Sequence, residues 1–232
     1  MNQKLIKQGK KILSKFLPDS MRLRLFSYIP RLERFRKAHT EKYPTFPDKH
    51  EMYDYINDVV IKNRAILYLE FGVFEGASIK YWASLNSNIK SRFCGFDTFT
   101  GLPEKYECFA VSLDKKTFDV FGRYPQVDDE RVSFIKGMFQ DTLPKFLENY
   151  NYSQPLIIHN DADLYSSTLY MLTYANSIIV PGTIIIFDEF SSMLNEFRAL
   201  EDYCVSYMRE YEVVGATISS SLYYDQVAIR IK

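Results

Sequence analysis

The fold is decided by one stretch, Ala65-Ile-Leu-Tyr-Leu-Glu-Phe-Gly-Val-Phe-Glu-Gly-Ala-Ser78, an apolar run that ends in an acid and then breaks into two glycines. This pattern predicts a buried strand, a tight turn and a helix start. Gly72 and Gly76 lack a side chain where the backbone folds back and approaches a ligand. Because position 74 is phenylalanine, the stretch is not the G-x-G-x-x-G fingerprint of dinucleotide-binding folds. The turn is a candidate cofactor site, although glycine turns after strands also occur without a ligand.

The composition describes a folded protein with a full core. The chain has 232 residues, of which 47% are hydrophobic and 25% charged, so disordered and fibrous classes are excluded. Three cysteines without C-x-x-C spacing indicate neither a disulfide framework nor a zinc site. No apolar stretch approaches the roughly 18 to 20 residues of a membrane span, and the N-terminal apolar run has no cleavage-like site after it. The sequence therefore predicts a cytoplasmic protein.

The formal net charge of zero conceals two oppositely charged parts. Residues 1–42 carry 12 Lys or Arg against 3 acids, whereas residues 43–232 carry 17 against 26. The first part begins with a basic amphipathic helix, predicted over residues 5–17 and ended by Pro18. Such a helix binds either an anionic membrane surface or an acidic protein surface, on its own chain or on a second one. We favour packing against protein, which includes a homo-oligomer formed through the N-terminal helices. Peripheral membrane contact is the other open alternative.

A proline-punctuated segment divides the chain. A second basic stretch at residues 21–37 gives way to Tyr43-Pro-Thr-Phe-Pro-Asp48, which is typical of a linker. We therefore predict a basic helical extension with its linker over residues 1–47, and a main domain over residues 48–232.

Strands and helices alternate through the main domain, which is the pattern of an α/β fold with a mostly parallel sheet and helices on both faces. Further strands are predicted at residues 92–97, 132–136, 155–161 and 183–189, and residues 211–218 and 226–231 form a closing antiparallel pair. After a loop at residues 137–141, a helix is predicted to begin at Thr142, with Pro144 in its first turn. Two more helices are predicted over residues 168–179 and 194–211. Residues 98–130 have many aromatics and no clear period, so we interpret them as a lid.

Acidic residues stand at the predicted carboxyl ends of the strands, where open α/β sheets bind ligands. Asp97, 27 positions after Glu70, is placed to accept hydrogen bonds from both ribose hydroxyls, and a helix cap or surface acid is the alternative. The acids that end the predicted strands at residues 155–161 and 183–189, which are Asp161, Asp163, Asp188 and Glu189, can converge on one hard cation such as Mg²⁺. His159 lies one full pleat from Asp161 without a histidine partner, so we interpret it as a strand residue rather than a metal ligand. The acids at this edge are Glu70, Asp97, Asp161, Asp163, Asp188 and Glu189.

Several of these motifs resemble known methyltransferases. The stretch Glu70-Phe-Gly-Val-Phe-Glu-Gly-Ala-Ser78 resembles the first motif of class I S-adenosylmethionine methyltransferases, and Gly137-Met-Phe-Gln-Asp-Thr-Leu-Pro144 resembles the adenine-side loop of the catechol O-methyltransferase group. Over residues 65–205 the chain is similar to the macrocin O-methyltransferase family, whose members methylate sugar hydroxyls on natural products. The motifs that carry this similarity are Phe96-Asp-Thr-Phe-Thr-Gly-Leu-Pro103, Asp161-Ala-Asp-Leu-Tyr-Ser-Ser-Thr168 and Pro181-Gly-Thr-Ile-Ile-Ile-Phe-Asp-Glu-Phe190.

The resemblance implies a Rossmann-like class I methyltransferase sheet with an antiparallel last strand and an N-terminal helical extension. It also implies S-adenosyl-L-methionine as the cofactor, and Mg²⁺ or another divalent cation as the metal. The family usually has Asp-Gly-Asp and Asp-Asp where this chain has Asp-Ala-Asp and Asp-Glu, and the Glu reaches farther by one methylene. By the resemblance, the metal ligands are Asp161, Asp188 and Glu189. The implied cofactor residues are Glu70, Gly72, Phe74, Gly76 and Ser78 for the methionine part, Asp97 for the ribose, and Phe139 with Gln140 for the adenine.

These features together predict a metal-dependent O-methyltransferase that acts on a hydroxyl of a sugar or glycosylated small molecule, with the lid over the acceptor site. A metal lowers the pKa of the acceptor hydroxyl, and Asp161 or Asp163 is the candidate base that takes its proton. The catechol enzymes carry a lysine base where this chain has Leu164, which favours an aliphatic acceptor. No nucleic-acid partner is predicted.

Two other classes of protein stay open. The sequence Asp161-Ala-Asp163 is also the D-x-D signature with which many glycosyltransferases hold a metal and a nucleotide sugar. That class leaves the glycine turn and the acid pair at 188 and 189 unexplained. A non-catalytic scaffold, anchored by its basic N-terminus, is the third class. It does not explain why so many acids collect at one sheet edge, since uncompensated carboxylates repel each other.

Overall fold

The computed structural model describes residues 21–39, 42–108, 112–220 and 223–232. This part of the chain contains ten strands and six α-helices. The strands are β1 (Thr45–Phe46), β2 (Leu67–Phe71), β3 (Arg92–Asp97), β4 (Tyr106–Glu107), β5 (Ser112–Leu113), β6 (Val132–Lys136), β7 (Leu156–Asn160), β8 (Ile184–Phe187), β9 (Tyr211–Ser220) and β10 (Tyr223–Ile231). The helices are α1 (Met21–His39), α2 (Lys49–Tyr55), α3 (Ala77–Leu85), α4 (Phe139–Glu148), α5 (Tyr165–Tyr174) and α6 (Glu196–Ser206).

Eight of these strands form one sheet in the order β1-β9-β10-β8-β7-β2-β3-β6. The strands from β8 to β6 pair in parallel, and β10 pairs antiparallel with both β8 and β9. Strand β2, which precedes the glycine turn, lies between β7 and β3 and is buried at every residue. This mostly parallel sheet with an antiparallel closing pair confirms the α/β fold predicted from the sequence.

Successive residues of the strands pack into two separate hydrophobic cores. Leu69 and Ile158 belong to one core, whereas their neighbours Tyr68 and Ile157 belong to the other. The reason is that alternate side chains of a strand point to opposite faces of the sheet. Helices α1, α4, α5 and α6 cover the first face, and α2 and α3 cover the second. Because both faces are apolar and covered, the strand ends are the place where polar groups can gather.

Helix α1 is part of the first core. Leu32 and Phe35 are buried, and the ring of Phe35 packs against the rings of Phe190 (centroids 4.9 Å apart) and Phe197 (6.0 Å). The segment predicted as a linker is instead part of the sheet. It contains β1, which pairs in parallel with β9, and Phe46 of this strand packs against the second core. The amphipathic helix predicted over residues 5–17 lies outside the described residues. The division of the chain at residue 47 stays a prediction.

The loop predicted before the helix at Thr142 is shorter than expected. Helix α4 begins at Phe139, because Met138 has an extended backbone and its carbonyl accepts hydrogen bonds from the amides of Asp141 (3.0 Å) and Thr142 (3.1 Å). Phe139 and Gln140 therefore stand in the first turn of a helix. The prediction that they lie in a loop is wrong.

Other element ends also differ from the prediction. Helix α5 begins at Tyr165 rather than Thr168, because the amide of Thr168 donates to the carbonyl of Leu164 (2.9 Å). Helix α6 is shorter than the predicted range of residues 194–211. The predicted lid contains the two short strands β4 and β5, which pair antiparallel. In the described part of the chain, no helix combines the length and the apolar character that crossing a lipid bilayer requires.

Candidate active site

The carboxyl ends of the parallel strands are joined by main-chain hydrogen bonds. The amide of Asp161, which follows β7, donates to the carbonyl of Phe71 at the end of β2 (2.9 Å). The amide of Asp188, which follows β8, donates to the carbonyl of Asn160 at the end of β7 (3.0 Å). Because each acid directly follows its strand, both carboxyl groups lie at the same edge of the sheet.

The glycine turn after β2 packs against these strand ends. Gly72 has a φ of 89°, and a Cβ at this position would overlap the main-chain oxygen of Asp161. Gly76 begins α3 with a φ of 75°, and a Cβ there would lie 2.9 Å from the side chain of Pro125. The sequence predicted close approach of a ligand at both glycines. Protein groups already leave no room for a side chain at either position, and the approach of a ligand stays a prediction.

Asp97 closes the glycine turn from the end of β3. Its Oδ2 accepts hydrogen bonds from the amides of Val73 (2.7 Å) and Phe74 (2.9 Å), and its Oδ1 accepts one from the amide of Phe99 (2.7 Å). The carboxylate therefore holds the turn in shape. Its predicted role at a ribose stays a prediction.

A cavity of about 290 Å³ opens between the glycine turn, the acids and the lid. The predicted site residues that line it are Gly72, Phe74, Asp97, Phe139, Gln140, Asp161, Asp163, Asp188 and Glu189. Sequence reasoning did not single out the other lining residues, which are Val73, Thr98, Gly101, Leu102, Pro103, Phe118, Met138, Ala162 and Ser167. Thr98, Gly101, Leu102 and Pro103 belong to the motif at residues 96–103 that carries the family resemblance, and this motif was their available signal.

Three predicted cofactor residues do not line this cavity. Glu70 is buried, with 1% of its surface exposed, and its Oε2 accepts a hydrogen bond from the Tyr68 hydroxyl at 2.6 Å. Gly76 and Ser78 stand at the start of α3, and Ser78 is buried. The structure therefore brings the side chain of Glu70 into the protein interior rather than to the cavity.

Ligand atoms of His159, Asp161 and Asp188 lie within 4.8 Å of one another. His159 lies in β7, as predicted, but it also belongs to this group, because residues two apart on a strand lie on the same side. Glu189 lines the same cavity without belonging to the group. Carboxylate oxygens held this closely fit a hard divalent cation. Asp161 and Asp188 are thus the two predicted metal ligands that the structure brings together.

The acids of this site shift one another's pKa because they are buried together. Burial, and after it the charge of Asp188, raises the pKa of Asp161 well above its usual range and the pKa of Asp163 to about 6. Burial, followed by the charges of Asp163 and Asp188, raises the pKa of Glu189 to about 7. Burial opposes ionisation of Asp188 too, but hydrogen bonding and attraction to His159 outweigh it and lower the pKa of Asp188. A cation bound here would displace protons from the other acids.

One oxygen of Asp188 has three cationic or amide neighbours that sequence reasoning did not find. Asp188 Oδ1 lies 3.3 Å from His159 Nε2 and 3.9 Å from Lys49 Nζ, and it accepts a hydrogen bond from Gln226 Nε2. Burial alone would lower the pKa of His159, but hydrogen bonds and attraction to Asp188 and Glu70 raise it to about 10. These partners come from α2, β7 and β10, and no local pattern in the sequence connects them.

Glu196, at the start of α6, is a second functional candidate that sequence reasoning missed. Its carboxylate is fully buried and accepts hydrogen bonds from the amide of Glu189 (2.9 Å) and from Asn160 Nδ2 (2.6 Å). Burial, and then the charges of Asp161 and Asp188, raises the pKa of Glu196 well above its usual range. Glu196 thus joins the ends of β7 and β8 behind the acids. An acid in the first turn of an otherwise apolar helix face was the only signal in the sequence.

The conformation of the turn Asp161-Ala162-Asp163 shows why alanine can stand between the two aspartates. Asp163 has a φ of 58°, in the left-handed region, and the amide of Leu164 donates to the carbonyl of Ala162 at 2.5 Å. Ala162 is not among the described residues with a positive φ. The residue that carries the backbone strain is therefore Asp163, which lines the cavity, and an alanine at 162 meets no such strain.

The first part of the lid lines the cavity and is hydrogen-bonded to the segment that follows β8. The hydroxyl of Tyr106 donates to Ser192 Oγ (3.1 Å), and Asn195 Nδ2 donates to the carbonyl of Glu107 (3.1 Å). The residues just before this attachment, Leu102 and others of its segment, line the cavity. The lid therefore connects the end of β3 with the segment between β8 and α6.

The sequence of this chain matches a known protein family. Residues 50–209 match the family model described as macrocin O-methyltransferase (TylF). The mycinamicin III 3''-O-methyltransferase of Micromonospora griseorubida is 31% identical over 90 residues, which cover 39% of this chain and 28% of that protein. The match therefore spans less than a third of that relative. The resemblance predicted from the motifs is confirmed by both matches.

Solved structures share the fold at low sequence identity. CalS11, a calicheamicin methyltransferase, superposes with a TM-score of 0.57 and 20% identity, over 97% of this chain and 91% of that one. The O-methyltransferase NovP has a TM-score of 0.56 and 20% identity, over 78% of both chains. An O-methyltransferase from Bacillus cereus in complex with SAH has a TM-score of 0.51 and 16% identity, over 95% of both chains. These similarities confirm the Rossmann-like methyltransferase fold.

Proposed function

Because this chain belongs to the macrocin O-methyltransferase family, we propose that it transfers a methyl group from S-adenosyl-L-methionine to a hydroxyl of a sugar or glycosylated small molecule, assisted by a divalent cation. The observation that carries this proposal is the meeting of the glycine turn and the acid cluster in one cavity. Gly72 and Asp161, one from each feature, both line it and follow neighbouring strands. A methyl donor and an acceptor hydroxyl can therefore be held side by side.

The residues around the glycine turn support cofactor binding. The cavity is lined by an acid at the end of β3, Asp97, and by Phe139 and Gln140 at the start of α4. An acid at this position suits ribose hydroxyls, whereas an aromatic ring with a neighbouring amide suits the face and the polar edge of an adenine. Gly72 keeps the turn free of a side chain next to these groups. When bound, S-adenosylmethionine supplies an electrophilic methyl group, and the cation lowers the pKa of the acceptor hydroxyl.

The acids support the metal and the proton transfer. We assign Asp161 and Asp188 to the cation, since ligand oxygens of the two lie within 4.8 Å of each other, and Glu189 as a further ligand that lines the same cavity. Asp163 is our candidate base. Burial raises its pKa to about 6, so it is mostly ionised at neutral pH and yet basic enough to accept a proton. Asp161, whose pKa is raised further, is the alternative base.

The acceptor is proposed to be an aliphatic hydroxyl. Leu164 stands where catechol methyltransferases carry a lysine base, and it is buried with 2% of its surface exposed. A leucine cannot take the proton of a phenol. The remaining proton acceptors at this end of the cavity are carboxylates, which suit a hydroxyl activated by a cation.

Binding and turnover measured with and without metal test this proposal. Calorimetry should show binding of S-adenosylhomocysteine to the full chain, and excess chelator should stop methyl transfer to a glycoside while leaving that binding largely intact. Asp188→Asn should behave like chelator, whereas Asp128→Asn, at an exposed position, should not. Heat with a nucleotide sugar but none with S-adenosylhomocysteine would instead favour a metal-dependent glycosyltransferase. Full activity in chelator would reject the metal, and binding without any transfer would favour a scaffold.

The organisation of the chain is also a proposal. We propose that residues 1–47 form an extension and residues 48–232 the methyltransferase domain, with the extension as the contact for a second copy of the chain. A cytoplasmic location, and the absence of nucleic-acid partners, stay predictions.

A further inference from the structure

The carboxylate of Asp188 is held by its surroundings through a single oxygen. Asp188 Oδ1 accepts a hydrogen bond from Gln226 Nε2 and lies 3.3 Å from His159 Nε2 and 3.9 Å from Lys49 Nζ. These three groups belong to three different elements, β10, β7 and α2. No described residue donates a hydrogen bond to Oδ2 of the same carboxylate. Asp188 therefore has one oxygen occupied by the protein and one that remains available at the cavity.

The hydrogen bonds around His159 fix the orientation of its ring. The hydroxyl of Tyr68 has a single proton, which it donates to Glu70 Oε2 at 2.6 Å. Its oxygen must therefore accept from His159 Nδ1, which lies 2.8 Å away, so Nδ1 carries a proton. On the other side of the ring, Nε2 lies 3.3 Å from Asp188 Oδ1, which can only accept, and 3.3 Å from the Tyr53 hydroxyl, which can accept or donate. The ring of His159 is thus held by Tyr68 at Nδ1 and directed at Asp188 Oδ1 through Nε2.

We propose that His159 is a positioning residue that holds Asp188 with Oδ1 turned toward the protein and so presents the other oxygen to the divalent cation of the proposed function. The chain Glu70, Tyr68, His159, Asp188 then connects the acid before the glycine turn with a metal ligand. Because His159 is fully buried, the position of its ring is set by packing rather than by solvent. Residues that orient metal ligands in this way typically alter metal affinity by about 10- to 100-fold when they are removed.

Two substitutions at His159 separate positioning from ligation. His159→Gln keeps an N–H donor of similar reach for Asp188, whereas His159→Phe fills the space and donates nothing. Binding of Mn²⁺ alone to the full chain, measured by electron paramagnetic resonance, is the readout. We expect His159→Phe to weaken Mn²⁺ binding by about 10- to 100-fold, and His159→Gln to restore most of that loss. S-adenosylhomocysteine affinity should be nearly unchanged in both variants.

The results distinguish the alternatives. If His159→Gln loses as much Mn²⁺ affinity as His159→Phe, the imidazole is a ligand and the positioning role is rejected. Unchanged Mn²⁺ binding in His159→Phe also rejects it, while leaving the methyltransferase proposal intact. If the wild-type chain binds S-adenosylhomocysteine but no Mn²⁺, the metal part of the proposed function fails together with this inference.

A third variant covers the case in which His159→Phe does not fold. Tyr68→Phe keeps the imidazole and the ring contact between residues 68 and 159 but removes the oxygen that accepts from Nδ1. We expect it to weaken Mn²⁺ binding several-fold, because the imidazole is no longer held against Asp188. Unchanged Mn²⁺ binding in a folded Tyr68→Phe protein, as judged by circular dichroism, counts against the chain of contacts.

Discussion

A Cβ atom on Gly72 would overlap the main-chain oxygen of Asp161 and lie 2.7 Å from its carbonyl carbon. The glycine turn after β2 and the acid after β7 therefore touch through their backbones, without any side chain between them. This contact is the reason why the predicted cofactor turn and the predicted metal site share one cavity. A substitution at Gly72 is therefore expected to displace Asp161 as well as the turn.

Gly72→Ala is expected to damage both binding and stability. The matched control is Gly182→Ala, because Gly182 also has a positive φ (95°) but has no atom within 4 Å of a Cβ. Both alanines bear the cost of a left-handed backbone, roughly 1 to 3 kcal/mol, so the difference between them isolates the overlap with Asp161. We expect a lower unfolding temperature and weaker S-adenosylhomocysteine binding in Gly72→Ala than in Gly182→Ala. Equal effects would show that the turn moves freely away from Asp161.

Asp97→Ala should weaken cofactor binding for a structural reason as well as a chemical one. The carboxylate accepts hydrogen bonds from the amides of Val73, Phe74 and Phe99, so its removal loosens the turn. Hydrogen bonds to a charged group contribute about 1.5 to 3 kcal/mol, which corresponds to roughly 10- to 100-fold in affinity. Calorimetry with S-adenosylhomocysteine measures the loss. Asp97→Asn keeps only one acceptor oxygen, so its affinity for S-adenosylhomocysteine should lie between those of the wild type and Asp97→Ala. A wild-type affinity in Asp97→Ala would contradict the assignment.

Helix α1 is expected to stabilise the domain through Phe35. Phe35 is 7% exposed and packs against Phe190 and Phe197, whereas Phe26 on the same helix is 70% exposed. Phe35→Ala should lower the free energy of unfolding by about 3 to 5 kcal/mol, and Phe26→Ala should change it by no more than about 0.5 kcal/mol. Chemical denaturation measures both. If the two variants are equally stable, α1 does not hold the core as this structure indicates.

The metal-free protein should lose stability as the pH rises. The pKa of Glu189 is raised from 4.5 to about 7, first by burial and then by Asp163 and Asp188, so the folded state binds more protons than the unfolded state in this window. This contribution is fully present below pH 4.5 and is lost as the pH rises through about 7. Burial opposes protonation of His159, but its acidic neighbours raise its pKa from 6.5 to about 10. The contribution of His159 to stability is therefore also lost as the pH rises between those two values.

Thermal unfolding of the protein in excess chelator, measured between pH 5 and 9, tests this expectation. Glu189→Gln should flatten the decline between about pH 4.5 and 7, because the amide does not titrate. Added Mg²⁺ should raise the unfolding temperature more at pH 8 than at pH 5.5, since cations bind the deprotonated acids. A Mg²⁺ effect that is larger at the lower pH would contradict the proposed site.

Much of the site could be predicted because it depends on local patterns. An apolar run followed by two glycines specifies a strand, a turn and a helix, and Leu67–Phe71 and Ala77–Leu85 follow it closely. The carboxyl ends of parallel strands meet at one edge, so acids that directly follow β7 and β8 had to lie near each other. Alternation of strands and helices likewise specified the α/β fold before any contact was known.

The sequence by itself determined the strands, the glycine turn and the edge at which the acids gather. Only the tertiary structure decided that Glu70 turns into the interior, that His159 and Gln226 hold Asp188, and that Glu196 joins the ends of β7 and β8. The physical reason is the range of the interactions. Strand and helix patterns are read over a few neighbouring residues, whereas a hydrogen bond between two side chains depends on strand order, register and packing, which bring together residues far apart in the chain.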